Sequence, residues 1–361
     1  MGVSGTRLYD ATTNAVASDL STHTNLVGTE TLNLSGTGTI ASKNVGSNKT
    51  VSVGTLALAD GSNGGLAANY TLSGGTHQLT VNQRPLNATL SRQYDGTTTS
   101  AGSDLSSFDA LQGGETLTLS GSGTSASANV ANGIAMSSNG NLALVDGTGL
   151  ASNYSLNSTV INITERVLNS SGSKIYDANT DALAADITLS NLVSGEALNH
   201  SGTATISSAN AGSYTITNLA GITIADGSGG TASNYTLTGG THNFTTNQRP
   251  LNATLARQYD GTSNAAGSDL SSFDALQGGE TLTLSGSGSA VNDNVANGIS
   301  VSSLGTLALV NGTGLASNYS LNSAAINITQ RVLNSSGSKT YDANTNALAA
   351  DITLSLSLIH I

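Results

Sequence analysis

Arg84 to Gly96 reads RPLNATLSRQYDG, and Arg249 to Gly261 reads RPLNATLARQYDG. A looser version opens at Arg166 as RVLNSSGSKIYDA and again at Arg331 as RVLNSSGSKTYDA, and Val3 to Ala11 (VSGTRLYDA) is the tail of the same motif. Working outward from this stretch, Tyr-Asp pairs fall at Tyr9, Tyr94, Tyr176, Tyr259 and Tyr341, spaced 85, 82, 83 and 82 residues apart. Asn-Tyr pairs end at Tyr70, Tyr154, Tyr235 and Tyr319, spaced 84, 81 and 84. A fixed period marks a tandem array. This one is too long for a solenoid coil of roughly 20–45 residues and suits one small domain per repeat.

The repeats run 1–83, 84–165, 166–248 and 249–330, with a partial fifth over 331–355. They alternate in type. The second and fourth share SDLSSFDALQGGETLTLSGSG, from Ser103 and Ser268, so the higher-order period is 165 residues and points to duplication of a two-domain block. At the end of the chain, LSLIHI (356–361) replaces the NLVSGE that the third repeat has in the same place. That hexapeptide is what a common sequencing adapter encodes, and it is expected to be read-through; no function is assigned to His360.

Within a repeat the apolar residues alternate: Leu117 and Leu119, Val51 and Val53, Leu56 and Leu58, then Leu86, Ala88 and Leu90. Period two with Thr, Val, Ile and Tyr is the strand signature. Asp60-Gly61, Asp146-Gly147, Asp226-Gly227 and Asn311-Gly312 punctuate the runs as turns. No helical period is sustained. The chain therefore predicts an all-β array of small antiparallel β-sandwiches, Ig-like or similar. The junctions carry no Gly/Ser-rich linker. At ~3.3 Å per strand residue each domain spans roughly 30 Å, and the array is expected to form an elongated rod of order 100 Å.

Composition excludes several classes. The net charge is −11 with 9% charged residues, so there is no basic face for nucleic acid. No apolar run approaches ~18 residues, so no membrane span is expected. There is no Cys, which argues weakly for a reducing compartment and fits better a chain that is exported unfolded. The histidines are scattered, and no Ser elbow, phosphate loop or acid/base pair emerges; neither enzyme activity nor a cofactor is expected.

All seven arginines lie in or beside the junction stretches. Arg84, Arg166, Arg249 and Arg331 open the repeats and are expected to make an interdomain polar contact or protect an edge strand. The motif tyrosines (Tyr9, Tyr70, Tyr94, Tyr154, Tyr176, Tyr235, Tyr259, Tyr319 and Tyr341) are expected to anchor small cores, each hydroxyl tying down a neighbouring strand. Asp10, Asp95, Asp177, Asp260 and Asp342 are expected in Asx turns. Calcium ligation by these aspartates is the sharper alternative, but DGSNGG at Asp60 and DGSGG at Asp226 fall short of a calcium loop, and Asn311 replaces the Asp. Asn-x-Ser/Thr triplets at Asn87, Asn153, Asn162 and Asn252 keep glycosylation open.

The order YDGT, GGETLTLSGSG, GLASNYSL, an I-x-I strand and R-x-LN resembles the YDG-type repeat domains of filamentous-haemagglutinin-like exoproteins of Gram-negative bacteria. The resemblance covers all but the last few residues. It implies a secreted or surface-attached adhesin, often exported by two-partner secretion, in which the repeats form a stalk. Host glycan or protein would then be met by other parts of the parent; the rival expectation is that the repeats themselves bind them through avidity. Ala11, Ala178 and Ala343 stand where the motif has Gly, which puts the turn there in doubt.

Overall fold

A computed structural model describes residues 1–356, and the side chains of residues 1–355. The chain is all-β, with no α-helix among the described residues. It divides into two compact bodies. The first comprises Met1–Val167, Leu192–Ala197 and Gly227–Thr236; the second comprises Leu168–Asn191, Leu198–Asp226 and the chain from Leu237.

The second repeat shows the plan. Its sheet runs in the order Thr99–Ala101, Ser122–Ser125, Ala131–Ser138, Tyr154–Thr164, Arg84–Gln93 and Leu105–Phe108. A two-stranded ribbon pairs Leu117–Ser120 with Ala143–Asp146. The first and fourth repeats have the same strand order and the same ribbon. In the third, Leu198–Ile206 is one continuous strand that pairs on one stretch with Asp181–Leu183 and on another with Ile222–Asp226.

The expected antiparallel sandwich needs correction here. At the centre of each sheet the first and last strands of the repeat lie side by side and parallel, as in Arg84–Gln93 with Tyr154–Thr164 and Gly2–Leu8 with His77–Asn82. The sheets are mixed. At the junction one residue, Gln83, separates the last strand of the first repeat from the first strand of the second. A chain that passes from strand to strand without turning keeps its direction. In each of the four full repeats the first and last strands point the same way, and the whole intervening repeat serves as the crossover a parallel pair requires.

The alternation in RPLNATLSRQ becomes a two-sided strand, with Leu86, Ala88 and Leu90 inward and Pro85, Asn87 and Ser91 away from the core. Ile161 and Ile163 of the parallel neighbour face the same interior. Pro85 falls ahead of the stretch that pairs with Leu105–Phe108, so its missing N–H costs no ladder bond on that side. The strands at both sheet edges are short, as in Asn14–Val16 and Thr22–Thr24, which limits pairing with other chains.

Asp60, Asp146 and Asn311 do not close hairpins. Each accepts, through Oδ1, the N–H of an alanine that opens a single 3-10 turn (Ala67, Ala151 and Ala316, at 2.6–2.7 Å). An acceptor oxygen is all the cap needs, so Asn311 serves as well as Asp. Each such turn ends on the Asn of an Asn-Tyr pair.

Candidate functional site

The Tyr-Asp turn is built alike throughout. The aspartate Oδ1 accepts the N–H two residues on, at 2.9 Å from Thr12, Thr97 and Thr262, 3.2 Å from Asn179 and 3.1 Å from Asn344. These are Asx turns. The residue three before each aspartate is a cation paired with it: Arg7, Arg92, Lys174, Arg257 and Lys339. Gly96 and Gly261 take φ of 78° and 79°; Ala11, Ala178 and Ala343 take 62°, 64° and 63°. The turn is the same left-handed one in both types, and the alanines carry its steric cost.

The tyrosines beside these turns do something the single-domain reading missed. Tyr9 is fully buried, and its hydroxyl donates to Glu115 Oε1 of the following repeat at 2.6 Å. Glu115 Oε2 accepts from Tyr154 of that same repeat at 2.8 Å, and the Tyr154 oxygen in turn accepts the Gln112 N–H at 3.1 Å. The rings of Tyr9 and Tyr154 meet edge to face, centroids 5.2 Å apart. One carboxylate thus clamps two tyrosines from adjacent repeats. The hydroxyl ties down the next repeat, not a strand of its own.

The clamp recurs within each body. Tyr94, Glu196 and Tyr235 form it with bonds of 2.6 and 2.7 Å and a centroid distance of 5.4 Å. Tyr176, Glu280 and Tyr319 form it with 2.6 and 2.5 Å and 5.3 Å. Edge-to-face pairs contribute about 0.5–1.5 kcal/mol each beyond area burial.

A second contact flanks each clamp. The Asn of the Asn-Tyr pair is buried to 1% exposure at Asn153, Asn234 and Asn318. Its Oδ1 accepts the N–H of Val45, Val130 or Ala211 of the preceding repeat, each at 2.9 Å. Its Nδ2 donates to Asn44, Asn129 or Asn210 at 3.0–3.1 Å. The opening arginines complete the joint: Arg84 donates to the Tyr9 carbonyl at 2.8 Å, Arg166 to that of Tyr94 at 3.4 Å and Arg249 to that of Tyr176 at 3.3 Å. The seven arginines therefore fall into two classes by position. Arg84, Arg166 and Arg249 reach across a joint, while Arg7, Arg92 and Arg257 hold their own Asx turn.

Burial and the neighbouring carboxylate suppress tyrosine ionisation. Tyr154, Tyr176 and Tyr235 are pushed up to about 12, burial contributing most and the bond to glutamate adding. Tyr9 is raised for the same reasons. At Glu115 burial favours the neutral acid, but bonds from Lys43, Tyr9 and Tyr154 outweigh it and hold the carboxyl below its usual range. Lys43 Nζ lies 2.5 Å from Glu115 and 5.9 Å from the Tyr9 ring centroid.

Of the residues singled out from sequence, Tyr9, Tyr94, Tyr154, Tyr176, Tyr235 and Tyr319 are thus gathered into three joints, with Arg84, Arg166 and Arg249. Tyr70 makes half a joint with Glu30 and the Val27 N–H (2.5 and 2.9 Å). Tyr259 and Tyr341 stand outside any joint, and both are exposed. The aspartates stay in their own turns. Among the described residues no three His, Cys, Asp or Glu side chains could together hold a metal ion. Asn153 is bonded at both ends of its amide, and the amides of Asn87 and Asn252 donate to Asp109 and Asp274; Asn162 Oδ1 accepts the Gly133 N–H. His77 and His242 are tied to the carbonyls of Leu72 and Leu237.

Missed from sequence were Glu115, Glu196, Glu280 and the structural use of the Asn in Asn-Tyr. Their signal was present: the glutamate closes each GGE or SGE about 39 residues before its Asn-Tyr tyrosine.

These features define a tandem β repeat with a built joint. The chain belongs to the YDG domain family, whose model matches four times, over residues 2–79, 75–161, 164–242 and 247–328. A search of curated proteins returns no match.

Proposed function

We propose that this chain is a run of non-catalytic stalk repeats from a large secreted or surface-attached adhesin of the filamentous-haemagglutinin-like, two-partner-secretion type, holding a distal adhesive domain away from a Gram-negative cell. The observation that carries this reading is the joint. Successive repeats are connected without a flexible linker and clamped by a buried Tyr-Glu-Tyr triad, which is what a mechanical spacer needs and what a string of independent binding modules does not. Six of the nine motif tyrosines are buried in the joints, where they could not stack on a sugar; Tyr259 and Tyr341 stay exposed. No helix among the described residues is long and apolar enough to cross a membrane, and the reading requires none here.

The test is to display the full chain to a glycan array and to host cells, with small-angle scattering on the same sample. The stalk reading expects no saturable binding and an extended particle. Saturable binding would replace it with adhesion by the repeats through avidity, and a compact particle would sink it.

A further inference from the structure

The Tyr-Asp turns fall into two chemical sets. Where the cation is Arg7, Arg92 or Arg257, the residue two beyond the aspartate is Thr12, Thr97 or Thr262. Where the cation is Lys174 or Lys339, that residue is Asn179 or Asn344. The arginine sets are inert, because a guanidinium keeps its proton and a threonine side chain offers no acyl carbon. The lysine sets are not. A primary amine that gives up its proton is a nucleophile, and a carboxamide carries an acyl carbon that it can attack.

At Lys174 the parts of that reaction are assembled. Nζ donates to Asn179 Oδ1 at 2.7 Å, which places it beside Cγ, one bond behind that oxygen. Asp177 Oδ1 lies 2.8 Å from Nζ, and Asp177 Oδ2 accepts from Asn179 Nδ2 at 3.0 Å. One carboxylate therefore touches both the nitrogen that would arrive at Cγ and the nitrogen that would leave. Asn179 Oδ1 also accepts the Asp181 N–H at 2.8 Å, a donor aimed at the atom on which negative charge would develop. The carbonyls of Asn179 and Asp181 hold Nζ at 2.9 and 2.7 Å, and the Lys174 side chain is 8% exposed. The left-handed Ala178 fixes the corner between the two carbonyl-bearing side chains. The same set recurs at Lys339. There Nζ lies 2.9 Å from Asn344 Oδ1 and 3.0 Å from Asp342 Oδ1, and Asn344 Nδ2 donates to Asp342 Oδ2 at 2.8 Å.

We propose that Lys174 and Asn179 join in an intramolecular isopeptide bond, with Asp177 as the proton carrier. Asp177 takes a proton from the Lys174 ammonium. The freed Nζ pair attacks Asn179 Cγ, and the charge passing to Oδ1 is met by the Asp181 N–H. Asp177 then gives its proton to Nδ2 and takes one from Nζ. The Cγ–Nδ2 bond breaks, ammonia leaves, and it carries off the last proton as ammonium. One C–N bond forms and one breaks, and nothing is oxidised or reduced. Holding the two groups in contact supplies the positioning that an amine and an amide lack in free solution. The Asp177 side chain is 36% exposed, so water competes for its protons and the bond forms slowly, after folding. The bond fastens the turn that follows Tyr176, whose hydroxyl is clamped by Glu280, and makes that turn indifferent to the salt that screens an ion pair.

Mass spectrometry of the full chain, aged at neutral pH until its mass is constant, tests this. The expected result is that trypsin fails to cut after Lys174, and that the uncut peptide weighs one ammonia less than its sequence, with fragmentation placing the loss on Lys174 and Asn179. An Asn-Gly step can lose the same ammonia to a succinimide; hydroxylamine opens a succinimide and leaves the isopeptide intact. Lys174→Arg keeps the charge and is expected to fold with an unchanged circular dichroism spectrum and to lack this link. Asp177→Asn keeps an acceptor for the Asn179 N–H and is expected to slow the reaction about a hundredfold. Free cleavage after Lys174 in the aged chain overturns the proposal, wherever else ammonia is lost. So does a link that forms unslowed in Asp177→Asn.

Discussion

Ser100 is fully buried and its hydroxyl has no partner, whereas Ala15, Ala182 and Ala265 fill the same position in the other three repeats. A buried hydroxyl that bonds to nothing costs about 1–3 kcal/mol relative to an apolar group. Ser100→Ala should therefore stabilise the second repeat, by about 1 kcal/mol. Chemical denaturation of the full chain followed by hydrogen exchange in that repeat would show it; no gain would mean that the hydroxyl has a partner in solution. The alanines at positive φ make the opposite kind of residue-scale case. At Ala178 the left-handed turn crowds Cβ against the backbone, so Ala178→Gly should relieve strain. The gain is offset in part by glycine's greater freedom in the unfolded chain. The net expectation is a stabilisation below about 1 kcal/mol, read as a small rise in the unfolding midpoint of the third repeat.

At the scale of elements, the joint makes neighbouring repeats share a core. The apolar cluster of the first repeat runs through Leu79 and Val81 into Leu86, Leu117 and Tyr154 of the second, and Tyr176 joins Leu251, Leu282 and Tyr319 in the same way. Among the described residues, the glutamate is the one acidic partner that the two hydroxyls of each clamp share. Replacing Glu280 with Ala leaves the hydroxyl protons of Tyr176 and Tyr319 without their acceptor, and should cost about 2–3 kcal/mol. Glu280→Gln keeps one acceptor oxygen and should cost less. The measurement is urea denaturation of both variants, with exchange protection followed at Tyr176 and Tyr319. If the two variants were indistinguishable from wild type, the clamp would contribute packing alone.

For the whole molecule, the joints set both ends of the pH range. Tyr154, Tyr176 and Tyr235 have folded-state values of about 12, above the ordinary 10.0. Their contribution is fully present below pH 10 and is lost as pH rises through about 12. Stability should fall across that window, with a delayed tyrosinate absorbance at 295 nm arriving together with unfolding. A full tyrosinate signal near pH 10 from a still-folded chain would refute it. Glu115 has the reverse sign. Its folded value lies below 4.5, so its contribution is present above pH 4.5 and lost as pH falls below that. Lys43→Ala should therefore make the first joint more acid-sensitive, read as an earlier onset of acid exposure at Tyr9. Salt should screen that pair in part, since Lys43 is 42% exposed.

The sequence alone determined the repeat period, the all-β class, the Asx turns at the Tyr-Asp pairs and the absence of linkers. Each of those rests on local chemistry or on recurrence: alternation, turn residues, an aspartate two positions from the N–H it accepts. What only the tertiary structure decided was which groups meet across distance. Tyr9 and Glu115 are 106 residues apart, and nothing in a linear pattern says that a tyrosine of one repeat is seated by a glutamate of the next. The parallel centre of each sheet belongs to the same class. Alternation predicts a strand but is blind to its direction, which depends on how the chain is routed through the whole repeat.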